Sequence, residues 1–212
     1  MDAIVDRVSV ASEVLDVACG TGATTFRIAE RLRPSSLIGI GISHSQLSEA
    51  RQRVPTAGFG LMDASRLGFR TDSFDAVVCV EAAFHFVTRA QFLREALLVL
   101  RPGGILTMSD ILLARGAALS SVGNYLEGCA AYAALLEQTG FVDIEVRDVT
   151  DRTWRPFRRR FTDFIARRHR RSPFALRDLF AANVVCAWAV RHCVLVRARK
   201  PDLRSSASQL AV

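Results

Sequence analysis

Residues 13–33, EVLDVACGTGATTFRIAERLR, constrain the fold more than any other stretch of this chain. An apolar run reaches two closely spaced glycines and passes directly into a segment that carries Phe26, Ile28, Ala29 and Leu32 at helical spacing. Pro34 closes that helix. A largely apolar strand followed at once by a helix is the repeating unit of a parallel sheet covered on both faces. The unit recurs along the chain. SLIGIGI (36–42) is a second strand, followed by a helix that Ser43 or Ser45 caps and that runs to about Val54. FGLMDA (59–64) and FDAVVCVEA (74–82) are strands three and four. TRAQFLREALLVL (88–100) has a helical period, and RPGG (101–104) breaks the chain before the fifth strand, ILTMSDIL. NYLEGCAAYAALLEQTGF (124–141) is a helix ended by Gly140, VDIEVRDV alternates as a strand, and HCVLVRARK (192–200) is the last strand.

The expected fold class is therefore α/β, with a doubly wound, mostly parallel seven-stranded sheet in three layers. One domain spans 1–201, with helical segments near 116–139 and 155–190 covering the substrate and a flexible tail over 202–212. Half of the 212 residues are hydrophobic, enough for one sizeable core. The net charge of +7 rests on arginine, since Lys200 is the single lysine, and such lopsided usage is discounted as evidence of an acidic partner. The five cysteines show no CxxC spacing and read as buried free thiols in a reducing compartment, not as a metal site. MDAIVDRV carries acids where a signal peptide needs a basic region, and no uncharged stretch approaches the roughly 18 residues of a membrane span. A cytoplasmic protein is the expectation.

The turn ACGTG supplies the first chemistry. Gly20 and Gly22 let a ligand approach the backbone, and the following helix presents unpaired N–H groups. A dinucleotide fingerprint would place a third glycine or alanine where Thr25 stands, and the Gly-Lys-Ser/Thr of a phosphate loop is absent. Asp16, four residues before Gly20 on a buried strand, needs donors, either from the loop itself or from a ligand amine.

Three motifs in order, VLDVACGTG, DASRLGFRTDSFDAVVCVEAAFHF and REALLVLRPGGILTMSD, resemble those of the class I S-adenosylmethionine-dependent methyltransferases. The likeness is to the small-molecule branch, of ubiquinone/menaquinone, sterol and natural-product type. It implies a Rossmann-like fold with S-adenosyl-L-methionine as cofactor. It carries Asp16, Ala18, Gly20 and Gly22 to the methionine half of that cofactor, Asp63 to the adenine amino group and the Ala64 N–H to the adenine edge. Glu81, at the end of strand four, joins the cofactor side. Asp63 also reads as a turn cap before SRLGF. Most members place an acid at Gly41 to hold the ribose. In the cyclopropane-forming and sterol-type branch that acid is often neutral, and a Gln five places on, here Gln46, reaches the ribose instead.

His85 matches a histidine that lies near the transferred methyl group in the small-molecule branch. An imidazole that titrates near pH 6.5 suits deprotonation of a hydroxyl or enol. It also reads as an aromatic packed between Phe84 and Phe86. Asp110 is expected to face the cleft, orienting His85 or binding substrate, with a loop cap as the other reading. The acceptor implied is small and apolar, aromatic or polyketide-like. O-methylation fits a single His base best, and C-methylation of a quinone or sterol-like acceptor uses similar equipment. About a dozen residues precede the first strand, where relatives carry helices over the substrate. Either the site is open, or the helices at 124–138 and 155–183 cover it, or the true start lies upstream.

The arginine-rich stretch TWRPFRRRFTDFIARRHRRSPF places Phe157, Phe161, Phe164 and Ile165 on one helix stripe with arginines around it. A solvated face is favoured over a nucleic-acid surface, since EAAFHF replaces the Asn/Asp-Pro-Pro-aromatic motif of base-amine methyltransferases. Two other classes stay open. A dehydrogenase is disfavoured by the missing third glycine, and a degenerate cofactor-binding relative is favoured by Gly41 and the short N-terminus.

Overall fold

The computed structural model describes residues 12–117, 123–168 and 189–202, together with Ile4 and Val8. The stretch from 169 to 188, with Cys186, and the tail after Asp202 lie outside the described residues. Seven strands form one sheet: β1 (Glu13–Val17), β2 (Ser36–Gly41), β3 (Gly58–Leu61), β4 (Phe74–Val80), β5 (Leu100–Leu113), β6 (Val142–Asp148) and β7 (Val190–Arg199), in the order β3-β2-β1-β4-β5-β7-β6. All pairs are parallel except those that β7 makes with β5 and β6. The helices are α1 (Ala23–Leu32), α2 (His44–Arg53), α3 (Arg89–Val99), α4 (Cys129–Thr139) and α5 (Trp154–Arg168).

Alternation along the strands sorts side chains into two cores. Leu15, Val17, Val77, Cys79, Leu106 and Met108 pack under α3 and α4, together with Phe92, Tyr132 and Leu136. On the other face Val14, Ala76 and Val78 meet Ile28 of α1, with Ile4 and Val8 beside them. Gly22 lets α1 settle against α2, because a Cβ there would lie 3.0 Å from Ala50. Ser43, not Ser45, caps α2, accepting from the Gln46 N–H at 3.4 Å.

Two boundaries differ from the sequence expectation, and so does the burial of two cysteines. RPGG does not break the chain ahead of β5, because the strand starts at Leu100 and carries those residues as a bulge; Phe74 pairs with Leu100 and Ala76 with Ile105. The end of β7 supports that bulge: the Gly103 N–H donates to Lys200 O at 3.0 Å, and the Lys200 N–H to Gly104 O at 2.9 Å. α4 starts at Cys129 rather than 124, and its Tyr132 and Leu136 are fully buried against α3 and the sheet, which places the helix beneath the sheet face and not over the cleft. Cys19 and Cys79 are buried, whereas Cys129 and Cys193 are only half-buried, since α4's first residue and β7 lie toward the sheet's edge.

Candidate active site

The strand order reverses between β1 and β4, so the loops that follow these two strands part and leave a crevice at their carboxyl ends. A cavity of about 430 Å³ occupies it, lined by Ala18, Gly41, Asp63, Ala64, Ala82 and His85. Ile42, Met62, Phe86 and Val87 complete the wall. Phe86 reads from the sequence as pocket floor, but Ile42, Met62 and Val87 do not, because nothing in a single apolar side chain distinguishes a pocket wall from a core.

The loop after β1 is shaped by left-handed backbone. Ala18, Gly20 and Gly22 have φ of 57°, 56° and 81°, and a Cβ at Gly20 would meet nothing within 4 Å, so that stretch of backbone is open to a ligand. Below it Asp16 is buried on the α1 side of β1. Its Oδ2 accepts from the Thr25 hydroxyl at 2.6 Å, while Oδ1 is buried without a partner among the described residues. Thr25, the residue that departs from a dinucleotide fingerprint, is thus the brace of Asp16. Burial pushes the Asp16 carboxyl up to about 7, with the Thr25 hydrogen bond opposing.

Asp63 follows β3 and combines both readings of its sequence. Its Oδ1 accepts from the Ser65 N–H at 2.8 Å and from the Ser65 hydroxyl at 2.7 Å, which holds the carboxyl below its usual value, and the residue also lines the cavity. Gly41 lines the same wall, where an added Cβ would meet only Leu47 at 3.7 Å. Gln46 is exposed in the first turn of α2 and does not line the cavity.

A short 3-10 turn, Ala83–His85, follows β4 and puts His85 at the exposed rim, its ring 3.9 Å from that of Phe84. Glu81 does not join the cavity of Gly41 and Asp63. With φ of 51° at the end of β4, it faces two smaller hollows beside the start of α5 instead. These measure about 170 and 160 Å³ and share Glu81, Thr153 and Cys193. The buried Ser109 hydroxyl, which has no partner among the described residues, borders the first, and Trp154 and Phe157 border the second.

Asp110 departs from the expectation in part: it does not line the cofactor cavity and has no hydrogen bond to His85 among the described residues, but it borders the smaller hollow of Glu81 and Ser109. Because β5 continues to Leu113, Asp110 lies mid-strand on the face of Met108 and Leu112 and is buried. Its Oδ2 accepts from Arg89 Nε at 2.6 Å and from the Tyr132 hydroxyl at 3.0 Å, and its Oδ1 from the Ile111 N–H at 2.8 Å. Arg89 also donates to the carbonyls of Ile111 and Asn124, and its own N–H donates to Asn124 Oδ1 at 2.7 Å. Asn124 Nδ2 in turn donates to the carbonyls of Ala83 and Phe86, at 2.9 and 3.1 Å, on either side of His85. Asp110 therefore acts at the heart of a buried network that holds the His85 turn through its backbone. Arg89 and Asn124 carried no sequence signal, because an Arg at a helix start and an Asn in a loop are ordinary surface residues.

The family described as a methyltransferase domain matches residues 14–104, which contain the cavity's walls from β1 to β4. Methyltransferase GfsG of Streptomyces halstedii is 35% identical over 163 residues, 69% of this chain and 58% of that protein. The erythromycin 3''-O-methyltransferase of Saccharopolyspora erythraea is 32% identical over 175 residues, 71% of this chain and 57% of that protein. The chain belongs to the class I S-adenosylmethionine-dependent methyltransferases. Its fold is shared with the [4+2]-cyclase SpnF, with a TM-score of 0.75 at 25% identity over 95% of this chain and 80% of that one. The chain spans less than three-fifths of the length of the two curated relatives.

The residues present fit the cofactor of this methyltransferase family. The orphaned Oδ1 of Asp16 lacks the donor that an α-ammonium group supplies, the open backbone at Gly20 admits a close approach, and the mainly apolar cavity ends in the Asp63 carboxylate, which suits a purine with one amino edge. Among the described residues no cluster of His, Cys, Asp and Glu is arranged to hold a metal, and no helix is long and apolar enough to cross a membrane.

Proposed function

We propose that this chain transfers a methyl group from S-adenosyl-L-methionine to a hydroxyl or enol oxygen of a small apolar acceptor, with His85 as the base. The observation that carries the reading is the placement of His85 at the rim of the cavity that fits the cofactor, on a turn pinned from both sides by Asn124. The bound cofactor would supply an activated methyl on a sulfonium, whose departure needs no help from an acid. What falls to the protein is to align the acceptor and remove its proton, and an exposed imidazole against the Phe84 ring, beside an apolar wall of Phe86 and Val87, is equipped for both. Asp16 and the Gly20 backbone would hold the methionine half, Asp63 and the Ala64 N–H the adenine. The reacting oxygen of the acceptor would lie at the His85 rim, while the hollows bordered by Glu81, Ser109, Trp154 and Phe157 would take the rest of its body, a second polar group of which would meet Glu81 or Ser109. The O-methyltransferase among its relatives supports oxygen as the acceptor atom.

The test is His85→Ala. Turnover should fall by roughly 10²–10⁴ while the dissociation constant for S-adenosylhomocysteine stays within a few-fold. Equal losses in both would argue against a base. A second reading, a cofactor-binding protein without methyl transfer, draws on the likeness to SpnF, a cyclase on the same fold, since a shared fold does not decide the chemistry. Retained binding with no methyl transfer to any phenol or enol acceptor would favour it.

The ribose side gives a further expected result. Gly41 takes a side chain without strain or clash, so Gly41→Asp should tighten cofactor binding about tenfold or more by restoring a charge-assisted hydrogen bond. Gln46→Ala should weaken it if the exposed amide swings in to the ribose. Calorimetric titration with S-adenosylhomocysteine reads both changes, and silence in both would mean that the ribose is held elsewhere.

A further inference from the structure

Helix α5 is poorly explained by any role within the fold. The apolar stripe expected from its sequence is not buried: Phe157, Phe161 and Phe164 are 55%, 36% and 57% exposed. Among the described residues α5 makes no substantial packing contact with another helix or strand. The rings form a continuous surface, with Trp154 and Phe157 centroids 5.6 Å apart and Phe157 and Phe161 stacked at 5.8 Å. At 100° per residue, Arg158 and Arg160 fall on either side of this stripe, with Arg155 and Arg159 further round. Arg155 is paired to Asp151 at 2.9 Å. Arg158, Arg159 and Arg160 are exposed and have no ion-pair partner among the described residues. The helix sequence carries six arginines against one acid, Asp163.

We propose that α5 seats the protein on an anionic lipid surface, with its aromatic stripe in the headgroup layer and its arginines on the lipid phosphates. An apolar face of Trp and Phe flanked by basic side chains on a short, otherwise polar helix is the composition of an interfacial helix lying in the membrane plane. Charge selects this occupant over the others. A second copy packed stripe to stripe would bring its own flanking arginines against Arg158 and Arg160, whereas anionic headgroups neutralise them. A single-stranded nucleic acid would use the phenyl rings as stacking platforms, but these already stack on one another too closely for a base to enter between them. The placement has a consequence for the site. Trp154 and Phe157, at the start of the stripe, also border the hollow of Glu81, Ile111 and Cys193, so the docked helix would open that hollow toward the bilayer. On the proposed function, which this consequence rests on, a lipid-dissolved acceptor would then enter without crossing water.

Co-sedimentation of the full chain with phosphatidylcholine vesicles, with and without phosphatidylglycerol, tests the docking and needs neither cofactor nor turnover. Binding is expected only to the vesicles that contain phosphatidylglycerol, and it should weaken as salt rises. Combined Arg158→Glu and Arg160→Glu, the two that flank the stripe, should reduce it at least about twenty-five-fold, at about fivefold for each arginine lost. Phe157→Ser with Phe161→Ser should reduce it as well. All of these side chains are on the surface, so the melting curves of both variants should match the parent and a loss of binding can be assigned to the helix face. Several outcomes would overturn the proposal: no vesicle binding, equal binding to neutral vesicles, or unchanged binding by the glutamate variant. So would a solution dimer split by the serine pair, or an oligonucleotide bound with the same arginine dependence in place of the vesicles.

Discussion

Asp110→Ala will destabilise the fold by about 3–5 kcal/mol, a large share of the roughly 5–15 kcal/mol that holds a domain of this kind together. The expectation comes from what is left behind. Arg89 is buried, and its Nε would lose the carboxylate at 2.6 Å while its other donors stay tied to carbonyls. The Tyr132 hydroxyl, also fully buried, would lose its acceptor at 3.0 Å. An uncompensated buried charge is the costly product of breaking such a pair, whereas removing both partners can be nearly neutral. Asp110→Leu combined with Arg89→Met should therefore recover much of the loss, although Asn124 would keep only part of its network. Urea unfolding reads all three proteins. A single variant with native stability and no turnover would instead assign Asp110 a direct part in the chemistry.

Asp16→Asn should weaken cofactor binding by roughly ten- to a hundredfold, the worth of one charge-assisted hydrogen bond, and should abolish a proton linkage that the parent shows. Burial raises the Asp16 carboxyl to about 7, far above an unfolded aspartate near 4. With the folded value the higher one, the stability contributed by this group is fully present below about pH 4 and is lost as pH rises through about 7. The ligand-free chain should therefore lose a few kcal/mol over that window, and the Asn variant should not. An ammonium donor placed on Oδ1 favours the ionised form, so the ligand should bind more tightly as pH rises toward 7 and should release a proton below it. Thermal melts across the window, and calorimetry with S-adenosylhomocysteine in buffers of different ionisation heat, read the two effects. Identical pH dependence in parent and variant would sink the assignment.

Local pattern was enough for the architecture. Each strand and helix is marked by its own period, glycines and caps, and ACGTG identifies itself because its two glycines supply left-handed backbone at no steric cost. The same locality explains where reading the residues went astray. RPGG is a breaker by composition, yet β7 arrives from almost a hundred residues away to hold it as a bulge. Asp110 was placed at the cleft by counting strand five as ending there, but β5 runs on to Leu113 because β7 pairs with it along that length, and alternation then turns the carboxylate toward α3 and α4. Glu81 was assigned to the cofactor by its place in the chain, while a left-handed backbone turns it to the opposite side of the crevice from Gly41.

By itself the sequence determined the doubly wound sheet and the methyltransferase family, since these follow from periodicity and from motifs a few residues long. Only the tertiary structure decided which acids are exposed, paired or orphaned. That Asp16 keeps an unpaired oxygen, that Asp110 is neutralised by Arg89, and that the stripe of α5 faces outward all depend on which distant elements arrive beside them. Burial and partnership are properties of the packed chain, and no local pattern encodes them.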